Sequence, residues 1–180
     1  MRKELVTKSK LLSLVLRHDP GAIGITLDEN GWASVADLLD KTSANGTKIT
    51  REELLEIVET NEKKRFALDT ERGRIRANQG HSLQVDVELS VMTPPEELFH
   101  GTALKNAESI FAQGLLKQAR QHVHLSPDVA TARMVGSRHG SPAVLRVASG
   151  LMDREGFKFY RSKNGVWLTD EVPARFLARV

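Results

Sequence analysis

A chain of 180 residues, 40% of them hydrophobic and 27% charged, can bury one core or two small ones and has an ordinary globular composition. The absence of cysteine excludes disulfides, a thiolate metal site and a cysteine nucleophile; with no apolar run near the ~20 residues of a membrane span and no signal-like N-terminus, the expected location is cytoplasmic. The net charge of +3 is uneven, 14 Lys+Arg against 15 Asp+Glu in residues 1–90 and 12 against 8 in residues 91–180, so nucleic-acid contact requires placed cations rather than a basic tail.

Leu5 to Leu16 has apolar residues at helical spacing and predicts an amphipathic helix that stops at RHDPG. Ile25 and Leu27 alternate before an Asn30-Gly31 turn. Ser34 to Asp37 has the form of a capping box opening a short helix through Leu39. Thr50 to Glu53 is a stronger one, with Leu54, Leu55 and Val58 on the buried side of its helix. RFALDTERGRIRA then reads as a hairpin around a glycine-containing turn. Three helices and a two-stranded ribbon predict a winged helix–turn–helix lobe, with a small α+β domain of another type as the alternative.

Leu83, Val85, Val87 and Leu89 alternate strictly and predict a strand. The domain boundary is placed in this region, giving an N-terminal lobe over 1–88 and a C-terminal lobe over 89–180. Short strands are expected at 97–100, 122–125, 143–148, 156–160 and 166–169, the last two joined by an Asn164-Gly165 turn. Helices are expected at 104–113, closed by Gly114, and at 127–138, with Ser126 as N-cap and Pro127 in the first helical position. The second lobe is therefore expected to be a β-rich α+β domain.

Four stretches concentrate polar groups. Arg17 and His18 follow the first helix, whose dipole favours a cation there whatever else it does. IRANQGHS, residues 75–82, combines an arginine fork, two amides and an imidazole with a glycine that permits close backbone approach. An anion would suit it, and so would the role of solvated linker. In His100-Gly101-Thr102 the glycine could offer bare N–H and C=O to a carboxamide, or simply end a strand. In RQHVHLS, His122 and His124 share one strand face. They could ligate zinc with His100 or His81, but no acid or thiol accompanies them and Arg120 lies just upstream, which argues for an anionic ligand and no metal. Neither G-x-G-x-x-G nor a P-loop occurs.

In the order LSLVLRH, RIRANQGHS, FHGT, RQHVHLS and FKFYRSKNGVWLT, from about Leu11 to Thr169, the chain closely resembles the NAD-dependent RNA (tRNA) 2′-phosphotransferase family. The resemblance implies a winged-helix lobe, an ADP-ribosyltransferase-like lobe and an active site between them. It implies that an RNA 2′-phosphate, of the kind left by tRNA splicing, attacks C1″ of the nicotinamide ribose of NAD and releases nicotinamide. The 2″-hydroxyl then takes the phosphate from this ADP-ribosylated intermediate, leaving 2′-OH RNA and ADP-ribose 1″,2″-cyclic phosphate.

The family's Arg-His-Arg-Arg set maps onto Arg17, His18, Arg76 and Arg120. An anionic nucleophile needs positioning and charge control more than a general base, which three arginines supply, and His18 could assist proton transfer. Likeness to ADP-ribosyltransferases assigns His100 to a ribose hydroxyl, the Gly101 backbone to the nicotinamide amide, and Thr102, His124 and Ser126 to the same NAD pocket. Gln79 and His81 fall to the RNA phosphate. Protein-modifying members of that fold carry a late-strand glutamate; the comparable GVWLT has no acid, which fits a substrate that brings its own nucleophile. The resulting expectation is a monomer acting on RNA with NAD as co-substrate and no metal.

Two alternatives stand beside it. One is an ADP-ribosyltransferase that caps nucleic-acid phosphates and stops after the first step. The other is a winged-helix nucleic-acid binder without catalysis, against which the third helix carries Glu52, Glu53, Glu56, Glu59 and Glu62.

Overall fold

The computed structural model describes residues 3–180. It is a mixed α and β chain in two compact units, the first reaching Glu88 and the second comprising Leu89–Val180.

The first unit opens with helix α1 (Lys3–Val15). Its end is tight: the Leu14 carbonyl accepts from the N–H groups of Arg17, His18 and Asp19 at 3.4, 2.9 and 3.0 Å, which turns the chain off the helix axis. Strand β1 (Ala33–Ser34) leads into α2 (Val35–Ala44), whose N-cap Ser34 accepts from the Asp37 N–H at 3.3 Å. Helix α2 runs five residues past the expected Leu39. The Thr50–Glu53 capping box is complete, with reciprocal bonds of 3.2 and 2.9 Å opening α3 (Arg51–Thr60). Strands β2 (Phe66–Asp69) and β3 (Arg74–Ala77) form the expected hairpin, and β1 adds to it antiparallel, in the order β1-β3-β2. Leu12, Leu16, Leu38, Leu54, Ile57 and Ile75 are fully buried in one core, each worth about 1.5–3 kcal/mol.

The alternating run at 83–89 does not form a strand. Of its four apolar residues only Val87 is buried, and Glu88, at φ 56°, leaves the extended region. The segment instead covers the Asp28–Gly31 turn: Asp86 donates its N–H to Glu29 O at 2.8 Å, and Asn30 Nδ2 donates to Asp86 O at 2.9 Å.

The second unit contains β4 (Leu98–Ala103), α4 (Ala107–Gln113), β5 (Leu115–Leu116), β6 (Val123–Leu125), α5 (Val129–Gly136) and β7 (Pro142–Val147). It continues with α6 (Ser149–Arg154), β8 (Phe159–Arg161), β9 (Trp167–Thr169), β10 (Glu171–Val172) and β11 (Leu177–Arg179). Antiparallel pairing builds small sheets in the orders β11-β7-β4, β6-β9-β8 and β10-β5. The Asn164-Gly165 turn closes the β8–β9 hairpin through Gly165 N–H to Ser162 O at 2.8 Å and Ser162 N–H to Val166 O at 2.9 Å. Leu98, Leu125, Val147, Met152 and Phe159 form the centre of a second core.

Ser126 is not the cap of α5. Its N–H and C=O exchange bonds of 2.7 and 2.9 Å with Phe99, which holds it extended and leaves Pro127 outside the helix. Asp128 caps instead, accepting from the Thr131 N–H at 2.7 Å. Among the described residues, no helix is long and apolar enough to cross a membrane.

Candidate functional site

Each unit carries a polar cluster. In the first, β3 ends in Ile75-Arg76-Ala77 and the chain continues through Asn78 and Gln79, turning at Gly80, where φ is 86° and a side chain would be disfavoured. Arg76 is only 5% exposed and His81 only 1%. Arg76 Nη1 donates to Glu88 Oε2 at 2.8 Å and to Asn30 O at 3.2 Å. Asn78 is anchored by its N–H to Arg65 O at 2.9 Å and its Nδ2 to Lys64 O at 2.6 Å.

Several polar atoms of this stretch are buried without a hydrogen-bond partner among the described residues: Arg76 Nε, Asn78 Oδ1, Gln79 Oε1 and both ring nitrogens of His81. Such atoms cost about 1–3 kcal/mol each when left unsatisfied, so their concentration in one place calls for a ligand or solvent.

Arg17 and His18 join the same cluster from the end of α1. Ser82 donates its N–H to Arg17 O at 3.0 Å, and His18 Nδ1 lies 2.9 Å from Ser82 Oγ. Burial, followed by the nearby charges of Arg17, His18 and Arg76, pulls the His81 pKa down from 6.5 to about 4. His81 is therefore neutral near pH 7, with one ring nitrogen donating and the other accepting. Arg17 and His18, read from sequence as one stretch, and Arg76, Gln79 and His81, read as another, occupy one neighbourhood.

In the second unit, His100 Nδ1 lies 3.0 Å from the His124 carbonyl and so carries the proton there. Burial is the main cause that lowers the His100 pKa, which leaves Nε2 as an acceptor lone pair. Arg120 Nη1 donates to His124 Nδ1 at 2.9 Å. Because Phe99 exchanges both backbone bonds with Ser126, the two-residue period of β4 turns the Gly101 N–H and C=O to that same edge, beyond Ser126 and away from β7.

A side chain at Gly101 would collide with the Ala132 carbonyl of α5. Close helix–strand packing therefore demands this glycine as well. Thr102 is buried, and its hydroxyl accepts a long 3.5 Å bond from Asn106. His122 packs edge-on to Tyr160 with ring centroids 5.5 Å apart. Among the described residues, no three His, Cys, Asp or Glu side chains gather as a metal site.

Three residues tied to the first cluster escaped sequence reasoning: Asn30, Trp32 and Glu88. Trp32 lies with its ring centroid 4.5 Å from the Arg76 guanidinium carbon and 4.4 Å from that of Arg74. The signal that finds it is the register Ala33↔Ile75, which sets Trp32 opposite Arg76, and β1 is too short to announce that pairing in sequence.

The model of the family described as RNA 2′-phosphotransferase, Tpt1 / KptA family, matches residues 3–171. A Flavobacterium johnsoniae protein named as a probable RNA 2′-phosphotransferase is 54% identical over 169 residues, 94% of this chain and 93% of its own length. Proteins of the same name from Hahella chejuensis and Acaryochloris marina are 51% and 48% identical, covering 99% and 100% of this chain and 96% and 99% of their own lengths.

Proposed function

The chain belongs to the RNA 2′-phosphotransferase, Tpt1 / KptA family and is an enzyme, and from that premise we propose that it transfers an RNA 2′-phosphate to NAD. The products are then 2′-OH RNA, nicotinamide and ADP-ribose 1″,2″-cyclic phosphate. The observation that carries this reading is the buried cluster at Arg76 and His81, where Arg76 Nε and both ring nitrogens of His81 have no hydrogen-bond partner among the described residues. We read the first unit as a winged-helix lobe, on its three helices and the β1-β3-β2 sheet, and the second as an ADP-ribosyltransferase-like lobe.

NAD supplies an electrophilic ribose carbon with a good leaving group and an acceptor hydroxyl beside it. The donors and acceptors of β4 fit such a molecule: Gly101 offers an N–H and a C=O to a carboxamide, and neutral His100 offers Nε2 to a ribose hydroxyl. The remaining chemistry is control of charge. Arg76 and Arg17 hold the 2′-phosphate, and neutral His81 and Gln79 complete its shell by hydrogen bonding. In the second unit, Arg120, bonded to His124 Nδ1, is a further cation for the negative charge that develops on the phosphoryl and departing oxygens when the RNA 2′-oxygen leaves. The attacking 2″-hydroxyl loses a proton in this step and the departing 2′-oxygen gains one. His18, exposed and bonded to Ser82, is the group to which we assign that proton transfer.

The test is a short RNA bearing one internal 2′-phosphate, incubated with and without NAD. Phosphate loss is expected only with NAD, with one nicotinamide released per phosphate. Loss at the same rate without NAD would reject the role of NAD.

A further inference from the structure

Arg76 is held by more than the backbone. Extending the register Ala33↔Ile75 and Ser34↔Arg74 by one residue sets Trp32 opposite Arg76, with Arg74 on the diagonal. The Trp32 ring centroid is 4.4 Å from the Arg74 guanidinium carbon and 4.5 Å from that of Arg76. Two cations on one ring repel each other, and each has its own carboxylate. Arg74 Nε donates to Asp69 Oδ2 at 3.0 Å, and Arg76 Nη1 to Glu88 Oε2 at 2.8 Å.

The choice of nitrogen matters. Nη1 of Arg76 has two N–H donors, and Glu88 Oε2 and Asn30 O account for both. The Nε edge is left over, and Nε is buried with no partner among the described residues. That edge is the one an arginine uses for a bidentate grip on phosphate. Glu88, on an irregular segment with its side chain 59% exposed, reaches in to Nη1 without covering Nε.

We propose that Trp32 and Glu88 are positioning residues for the phosphate: Trp32 fixes the plane of the Arg76 guanidinium and Glu88 fixes its rotation, so that the Nε edge faces the incoming anion. This rests on the reading of Arg76 as a phosphate ligand. It acts by sparing arginine the loss of side-chain freedom that a flexible cation suffers on binding.

The experiment measures dissociation constants by fluorescence anisotropy, without NAD, for a 2′-phosphorylated RNA and its 2′-OH counterpart. The ratio of the two constants reads the phosphate contact alone. Arg76→Ala is expected to collapse that ratio. Trp32→Ala should lower it about tenfold, the scale of a desolvated cation–π contact, while Trp32→Phe retains most of it. Glu88→Ala should lower it, and Glu88→Gln, which keeps an acceptor oxygen, should lower it less. In the Trp32→Ala/Arg76→Ala double variant the ratio should equal that of Arg76→Ala, because Trp32 acts through Arg76.

A merely structural role would depress the melting temperature and weaken both RNAs equally, leaving the ratio unchanged. An unchanged ratio in both Trp32→Ala and Trp32→Phe, or additive effects in the double variant, overturns the inference while the Arg76 assignment stands. An unchanged ratio in Arg76→Ala overturns both.

Discussion

His81 is an imidazole 1% exposed, with both ring nitrogens unpartnered among the described residues and its pKa drawn down from 6.5 to about 4. Since the folded value lies below the unfolded one, the unfolded chain takes up the proton first as pH falls. The stabilisation is complete above about pH 6.5 and is lost progressively toward pH 4, at most about 3 kcal/mol. Thermal melts from pH 7 to pH 4 should show this acid limb in the natural protein and a flatter one in His81→Gln; equal slopes would mean that His81 does not titrate as described. Arg120 makes a different case. It is exposed and bonded to His124, so Arg120→Ala should leave the melting temperature in place while cutting turnover by about 10²-fold or more, the scale of losing one transition-state donor. Near-normal turnover would remove Arg120 from the proposed site. At this scale the sequence displays much of the first cluster, because Arg76, Gln79 and His81 sit within six residues. Trp32 stays hidden because its tie to Arg76 spans 44 residues and rests on a two-residue strand.

Strand β4 and helix α5 meet through two glycines. A side chain at Gly101 would strike the Ala132 carbonyl, and one at Gly136 would come within 2.7 Å of the Thr102 carbonyl. Gly136 lies outside the proposed site, so Gly136→Ala isolates the packing demand. Overpacking there should cost about 1–3 kcal/mol, read by denaturant unfolding, with retained stability as the contrary result. The FHGT motif offers two reasons for its glycine, ligand access and a strand end, whereas the structure adds a third, since packing against α5 is invisible until β4 and α5 are placed side by side. Local signals fared better. The Thr50–Glu53 box, the Gly-containing β2–β3 turn and the Asn164-Gly165 turn depend on neighbouring residues alone, and all three stand where expected. Alternation at 83–89 misled because period two describes any extended cover, paired or not, and Glu88 at φ 56° interrupts it. Ser126 misled because a bridge to Phe99 claims its backbone first.

For the whole molecule, family membership fixes the reaction class and the two polar clusters supply the proposed chemistry. Residues 91–180 carry 12 Lys+Arg against 8 Asp+Glu, too slight an excess for tight nonspecific RNA binding. Recognition should therefore depend on the phosphate itself. The proposed mechanism assigns charge control to arginines and calls on no divalent ion. Turnover in excess EDTA should equal that with added magnesium, and a loss restored by metal would revive the paired histidines as ligands. In the proposed reaction the RNA 2′-phosphate ends on the NAD ribose. Its most direct test follows ³²P placed in an internal 2′-phosphate through one turnover with NAD. All label should leave the RNA in ADP-ribose 1″,2″-cyclic phosphate; label released as inorganic phosphate, or retained on ADP-ribosylated RNA as the final product, would contradict it.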